Sequence, residues 1–183
     1  MLHGRSRRAY ARWAIGLLAP GIDEDVLEIG CASGYALGLI APAARGRIVG
    51  IDRSAVLLRI AEGHLRRVGG AARTTLICAA EDDLPSFDVA FEKVLAINVW
   101  PFRSESVRVL DILRVRLAPG GRIAVAVRAP RRAAPATAQA LGAEIARALE
   151  TAGFGRIEAH LSDRVGGRRC VCVTACRAGA SRP

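Results

Sequence analysis

Val26-Leu27-Glu28-Ile29-Gly30-Cys31-Ala32-Ser33-Gly34 runs a short apolar strand straight into a turn bounded by two glycines. Branched residues around a single carboxylate suit a strand buried on both faces. Glycine lets the backbone turn sharply and brings bare amides close to a ligand. Gly34 then opens a helix running through Leu37 to Ile40. The stretch therefore reads as the first βα unit of an open α/β sheet, in which ligands lie across the carboxyl ends of the strands where strand order reverses. Further on, Ile48-Val49-Gly50-Ile51 leads into Asp52, placing an acid at the tip of the second strand, positioned for the two hydroxyls of a ribose.

The same alternation of short apolar runs and amphipathic stretches continues to the end of the chain. Strands are predicted at Val26–Ile29, Arg47–Ile51, Thr75–Ala79, Lys93–Ile97, Arg122–Val127, Arg156–His160 and Cys170–Ala175. Between them, Ser54 is a natural N-cap for a helix with Leu57, Ile60, Ala61, His64, Leu65 and Val68 on one stripe, closed by Gly69-Gly70. Further helices are predicted over Glu105–Leu117, stopped by Pro119-Gly120-Gly121, and over Ala138–Ala152, stopped by Gly153. Ser6–Leu18 is also helical in pattern, with Tyr10, Trp13, Ala14 and Leu17 at helical spacing, and the prolines of Arg128–Thr137 predict a loop.

With 183 residues, 51% of them hydrophobic, the chain has enough material for one full core and no room for a second domain. The formal charge of +10 favours anionic partners such as nucleic acid, an acidic lipid surface or an acidic small substrate. Yet Lys93 is the only lysine among 27 basic residues. A GC-rich coding sequence produces such an arginine bias without any binding role, and that explanation is preferred. The apolar run Ala14–Ala19 is too short for a signal peptide or a membrane span, so a cytoplasmic chain with no membrane partner is expected. Five cysteines without a Cys-x-x-Cys pair predict neither disulfides nor a metal site, only reduced and mostly buried thiols.

A dinucleotide site wants Gly-x-Gly-x-x-Gly with helix amides aimed at a pyrophosphate, but here the three positions hold Gly30, Ala32 and Tyr35. Tyr35 blocks the close helix–strand approach, and Glu28 puts negative charge where a diphosphate would lie. S-adenosylmethionine has no phosphate. Its ribose diol, ammonium, carboxylate and sulfonium fit acidic strand ends and bare loop amides.

Leu27-Glu28-Ile29-Gly30-Cys31-Ala32-Ser33-Gly34-Tyr35-Ala36 resembles the first motif of class I S-adenosylmethionine-dependent methyltransferases, with alanine at two positions that are often glycine. Asp52 is similar to that family's ribose-binding acid, Glu81-Asp82 to the acidic pair near the adenine, and Phe91–Asn98 to the fourth-strand motif. Leu117-Ala118-Pro119-Gly120-Gly121-Arg122 resembles the turn before the fifth strand. The resemblance implies one doubly wound, seven-stranded, mostly parallel sheet of order 3-2-1-4-5-7-6. Strand 7 would be antiparallel and helices would cover both faces. Residues 1–20 would form a helical lid segment and residues 21–183 the cofactor domain. Glu28, Gly30, Cys31, Ala32, Gly34, Asp52, Arg53, Glu81, Asp82 and Asn98 would then contact S-adenosylmethionine or its product S-adenosylhomocysteine.

Methyl transfer from a sulfonium is an in-line displacement, so the protein has chiefly to align the reacting atoms and exclude water. No metal is required, and no catalytic base is assigned. His64 falls on its helix's apolar stripe, His160 ends a strand away from the cleft, and His3 sits at the chain end. On the acceptor side the candidates are Tyr10, Trp100, Arg103 and Arg128, with the guanidinium of Arg128 suited to a carboxylate or phosphate. The expected acceptor is a small molecule with an acidic group. An RNA or DNA acceptor, or cofactor binding without catalysis, are the alternatives.

Overall fold

The computed structural model describes residues 2–80, 83–99, 106–165 and 167–179. Along the chain these form α1 (Leu2–Leu18), β1 (Val26–Ile29), α2 (Leu37–Ile40), β2 (Ile48–Asp52), α3 (Ala55–Val68) and β3 (Thr74–Cys78). There follow β4 (Phe91–Ile97), α4 (Ser106–Arg116), β5 (Leu117–Arg128), α5 (Pro135–Thr151), β6 (Phe154–Val165) and β7 (Arg168–Arg177).

The strands make one sheet in the order β3-β2-β1-β4-β5-β7-β6. Neighbours from β3 to β5 are parallel, and β7 runs antiparallel to both β5 and β6. Period-two alternation divides the apolar side chains into two cores. One layer sets Leu27, Val49, Val94, Val125 and Val173 against Leu113 of α4 and Ile145 of α5. The other sets Val26, Ile48, Leu95, Ala124 and Cys172 against Tyr10, Ala14 and Leu18 of α1, Leu37 of α2 and Leu65 of α3. Cys170 and Cys172 are fully buried members of the second layer, whereas Cys78 is exposed.

Charge is segregated along the strand direction. At the amino edge, Asp25 pairs with Arg47 at 3.0 Å and Lys93 with Glu24 at 3.4 Å, which ties the starts of β1, β2 and β4 together. The carboxyl edge is left for chemistry.

Several element boundaries differ from expectation. The helix predicted from Gly34 begins only at Leu37, because Gly34 itself is left-handed. The predicted loop Arg128–Thr137 is cut short by α5, which starts at Pro135, since a first-turn residue needs no N–H and proline's φ is already helical. Around Pro119-Gly120-Gly121 the chain does not simply turn. Leu117 pairs with Phe91, the intervening residues loop out, and pairing resumes at Arg122 with Lys93. The last two strands run well beyond their apolar centres because β6, an edge strand, carries polar residues such as Glu158, Ser162 and Asp163 that do not read as an apolar run. As predicted, Ser54 caps α3, its side chain accepting from Leu57 N at 3.3 Å, and left-handed Gly69 closes the helix. Among the described residues no helix is long and apolar enough to cross a membrane.

Candidate active site

Where β1 ends, the chain enters the left-handed region three times in five residues, at Gly30 (φ 66°), Ala32 (φ 47°) and Gly34 (φ 69°). The loop is bound to the tip of β2. Cys31 N donates to Ile51 O at 2.9 Å, and Ala32 N donates to Asp52 Oδ2 at 2.9 Å. The second oxygen, Asp52 Oδ1, accepts from Ser54 N at 2.9 Å, so one carboxylate fixes both the glycine loop and the start of α3. An alanine in this conformation costs about 1–2 kcal/mol, and the charge-assisted bond from its own amide offsets that cost. Gly34 serves packing: a Cβ there would lie 2.8 Å from Ala61 Cβ, so its bare backbone lets the loop settle on α3.

Above this loop opens a cleft of about 790 Å³, ample for a nucleoside and a second small ligand. Its acids stand on one side. Glu28, at the end of β1, is only 3% exposed. Its carboxyl accepts a hydrogen bond from the Leu37 backbone N–H, yet Oε2 finds no partner among the described residues. Burial, with Asp52 adding repulsion, pushes its pKa up to about 8.

An orphaned buried carboxyl oxygen facing a cleft beside a half-exposed Asp52 is the set of acceptors that a ligand donating from an ammonium and a ribose diol satisfies. The residues present therefore fit S-adenosylmethionine. A measurable consequence follows. The folded chain keeps Glu28 protonated up to pH about 8, while the unfolded chain ionises it near 4.5. The folded state thus binds more protons across that window. Unliganded stability falls as pH rises through it and levels off above. Glu28→Gln should flatten this decline in thermal denaturation while weakening S-adenosylhomocysteine binding at pH 8 by roughly tenfold, the effect of losing one charge-assisted contact. An unchanged pH profile would remove Glu28 from this role.

The opposite side of the cleft is cationic. Asn98, left-handed at φ 54°, turns the chain out of β4, and its Oδ1 accepts from Arg128 N at 3.1 Å and from the Tyr10 hydroxyl at 3.4 Å. One short side chain thereby joins β4, β5 and α1. The Arg128 guanidinium lies 4.4 Å from the centroid of the Tyr10 ring, and Trp13 stacks on Tyr10 at 6.2 Å. Burial holds the Tyr10 hydroxyl in its protonated form far above the usual phenol range.

Of the residues predicted from sequence, Glu28, Gly30, Cys31, Ala32, Asp52, Arg53 and Asn98 line this one cleft, together with Tyr10 and Arg128. Cys31 contributes backbone, since its sulfur is turned toward Gly50. Gly34 lies beneath the loop against α3. Glu81, Asp82, Trp100 and Arg103 fall outside the described residues. Tyr35, from the first-motif stretch, and Val99, which follows Asn98, also line the cleft, and so does Arg168, which the sequence reading did not assign to it. Tyr35, which blocks a dinucleotide, accepts from Arg8 Nε at 2.7 Å and stacks on His64 at 5.9 Å. Arg168 could have been found from the strand order, because the first residues of an antiparallel β7 must lie at the same edge as the last residues of β5.

A family model described as a methyltransferase domain matches residues 27–123, more than half of the chain. The chain belongs to this family of methyltransferase domains, and its sheet has the fold of an S-adenosylmethionine-dependent methyltransferase structure from Aquifex aeolicus, with a TM-score of 0.75 and 19% identity over 94% of this chain and 93% of the other. Within curated proteins it is 33% identical over 106 residues to a tRNA U34 carboxymethyltransferase of Shewanella amazonensis, an alignment spanning 58% of this chain and 32% of that protein. The chain thus spans about a third of the length of that relative. Among solved structures it shares its fold with the N-methyltransferase NodS of Bradyrhizobium japonicum in complex with S-adenosylhomocysteine. That pair has a TM-score of 0.72 and 20% identity, over 94% of this chain and 87% of the other. The [4+2]-cyclase SpnF has the fold too, with a TM-score of 0.76 and 18% identity over 94% and 82% of the two chains.

Proposed function

We propose that this methyltransferase acts on a small molecule carrying an anionic group. The cofactor would bind on the Glu28–Asp52 side of the cleft and the acceptor on the side walled by Tyr10, Asn98 and Arg128. When bound, S-adenosylmethionine supplies an electrophilic methyl on a sulfonium. The sharp turn at Gly30 brings the loop backbone against its polar end, Glu28 faces its ammonium, and Asp52 accepts from the ribose. Arg53 borders the ribose, and the family resemblance assigns Glu81 and Asp82, outside the described residues, to the adenine. Tyr10 and Trp13 close the α1 side against water, which is the sense in which residues 1–20 act as a lid.

The observation that carries the acceptor class is the division of charge, with acids at the ends of β1 and β2 and Arg128 at the end of β5. None of the described acceptor-side groups is ready to take a proton: the arginines are cationic and Tyr10 keeps its own. An acceptor atom that is already nucleophilic suits these surroundings. Transfer of labelled methyl to a panel of small acids should succeed, and Arg128→Ala should reduce kcat/KM for the accepted acid by about 10–100-fold with cofactor affinity kept. Equal kcat/KM in wild type and variant would dispose of the assignment.

An RNA acceptor is the second reading, supported by the tRNA enzymes among the relatives and by the net charge of +10. RNA binding whose log K falls by several units per decade of salt would favour it, while no RNA binding at low salt would exclude it.

A further inference from the structure

Arg168 is the first residue of β7, and the antiparallel register that sets Cys170 opposite Arg128 carries Arg168 past the end of β5 into the cleft. One of its terminal nitrogens donates to Ala129 O, which anchors the side chain to the β5 exit. Its Nε is buried with no hydrogen-bond partner among the described residues. Arg128 lies over the Tyr10 ring and Arg168 is held at Ala129, the next residue along, so the two cations line one corner of the cleft. Like charges held together in a half-buried corner repel, and an orphaned N–H adds a desolvation cost. An oxyanion between them removes both penalties, since a guanidinium fork matches the two oxygens of a carboxylate or phosphate, while Tyr10, whose hydroxyl donates to Asn98 Oδ1, walls the corner.

We propose that Arg168, with Arg128 seated on the Tyr10 ring, forms an oxyanion subsite that fixes the anionic group of the acceptor, a carboxylate or phosphate on a small molecule. This rests on the acceptor class given above and adds the residue that selects it. Arg168 orients the acceptor by its anion and leaves the reacting atom free.

The test uses the whole chain saturated with S-adenosylhomocysteine and measures the shift in melting temperature on adding succinate, inorganic phosphate or a short RNA oligonucleotide. Succinate or phosphate should stabilise the wild-type complex and the variant of an exposed α5 arginine, Arg147→Ala. Arg168→Ala should bind the anion roughly tenfold or more weaker, and Arg168→Lys should fall between because it keeps the charge and loses the fork. Calorimetry with S-adenosylhomocysteine shows that each variant is folded. Equal anion shifts in wild type and Arg168→Ala, or no shift in the wild-type complex, overturn the subsite alone. A shift from the oligonucleotide and from neither small anion overturns the small-molecule source as well. If S-adenosylhomocysteine itself fails to bind the wild-type chain, the underlying assignment of the site falls instead.

Discussion

Gly30→Val should abolish detectable S-adenosylhomocysteine binding. At φ 66° a β-branched residue is strained whatever space surrounds it. There is also no space: a Cβ at Gly30 would stand 2.0 Å from Val99 Cγ2 and 3.2 Å from Val99 Cβ. Relief requires either the loop or the β4 exit to move, and each carries part of the site. Left-handed strain of about 1–2 kcal/mol and overpacking of about 1–3 kcal/mol fall on the segment that the Cys31 and Ala32 amides bind to the tip of β2. Calorimetry would then show no binding heat, with a lowered melting temperature. Gly63→Ala is the fitting control, because nothing lies within 4 Å of its Cβ position and helix propensity should stabilise it by about 0.5–1 kcal/mol. Wild-type affinity in Gly30→Val would show that the cofactor does not approach this loop.

Asp52→Ala should lower cofactor affinity by roughly a hundredfold or more and cost about 2–3 kcal/mol of stability. Two backbone amides lose their acceptor at once, Ala32 N and Ser54 N, each at 2.9 Å from the carboxylate. With it goes the acid assigned to the ribose hydroxyls. Asp52→Asn separates the two losses. An amide oxygen still accepts from one backbone N–H, so that variant should recover most of the stability and only part of the affinity. Affinity within twofold of wild type in both variants would move the ribose away from Asp52.

The two sides of the cleft were not equally legible. Glu28, Gly30 and Asp52 each follow an apolar run within a few residues, so strand tip and turn could be read locally. Asn98 follows its strand in the same way, but nothing near it in sequence announces that its side chain ties together Tyr10 and Arg128. Arg128 stood at a predicted strand end, whereas Arg131 and Arg132, beside it in sequence, are exposed and do not line the cleft. Identical side chains separated by three or four positions thus have unrelated surroundings, and only one of them can recognise an acceptor.

What the sequence determined by itself is the sheet and the wall of the cleft that carries Glu28, Gly30 and Asp52. Parallel strands covered on both faces must be nearly continuous apolar runs, and a backbone that turns sharply toward a ligand needs glycine, so both leave short-range marks. The tertiary structure alone decided how deeply Glu28 is buried, and hence the pH range in which it holds its proton, because desolvation sums over every neighbour. It also decided that Arg168 lines the same cleft as Arg128 and Tyr10. That placement depends on β7 running antiparallel beside β5 and on α1 packing across the sheet, contacts between segments more than a hundred residues apart for Tyr10 and Arg128. Such contacts come from the packing of whole elements, and no local pattern of residues records them.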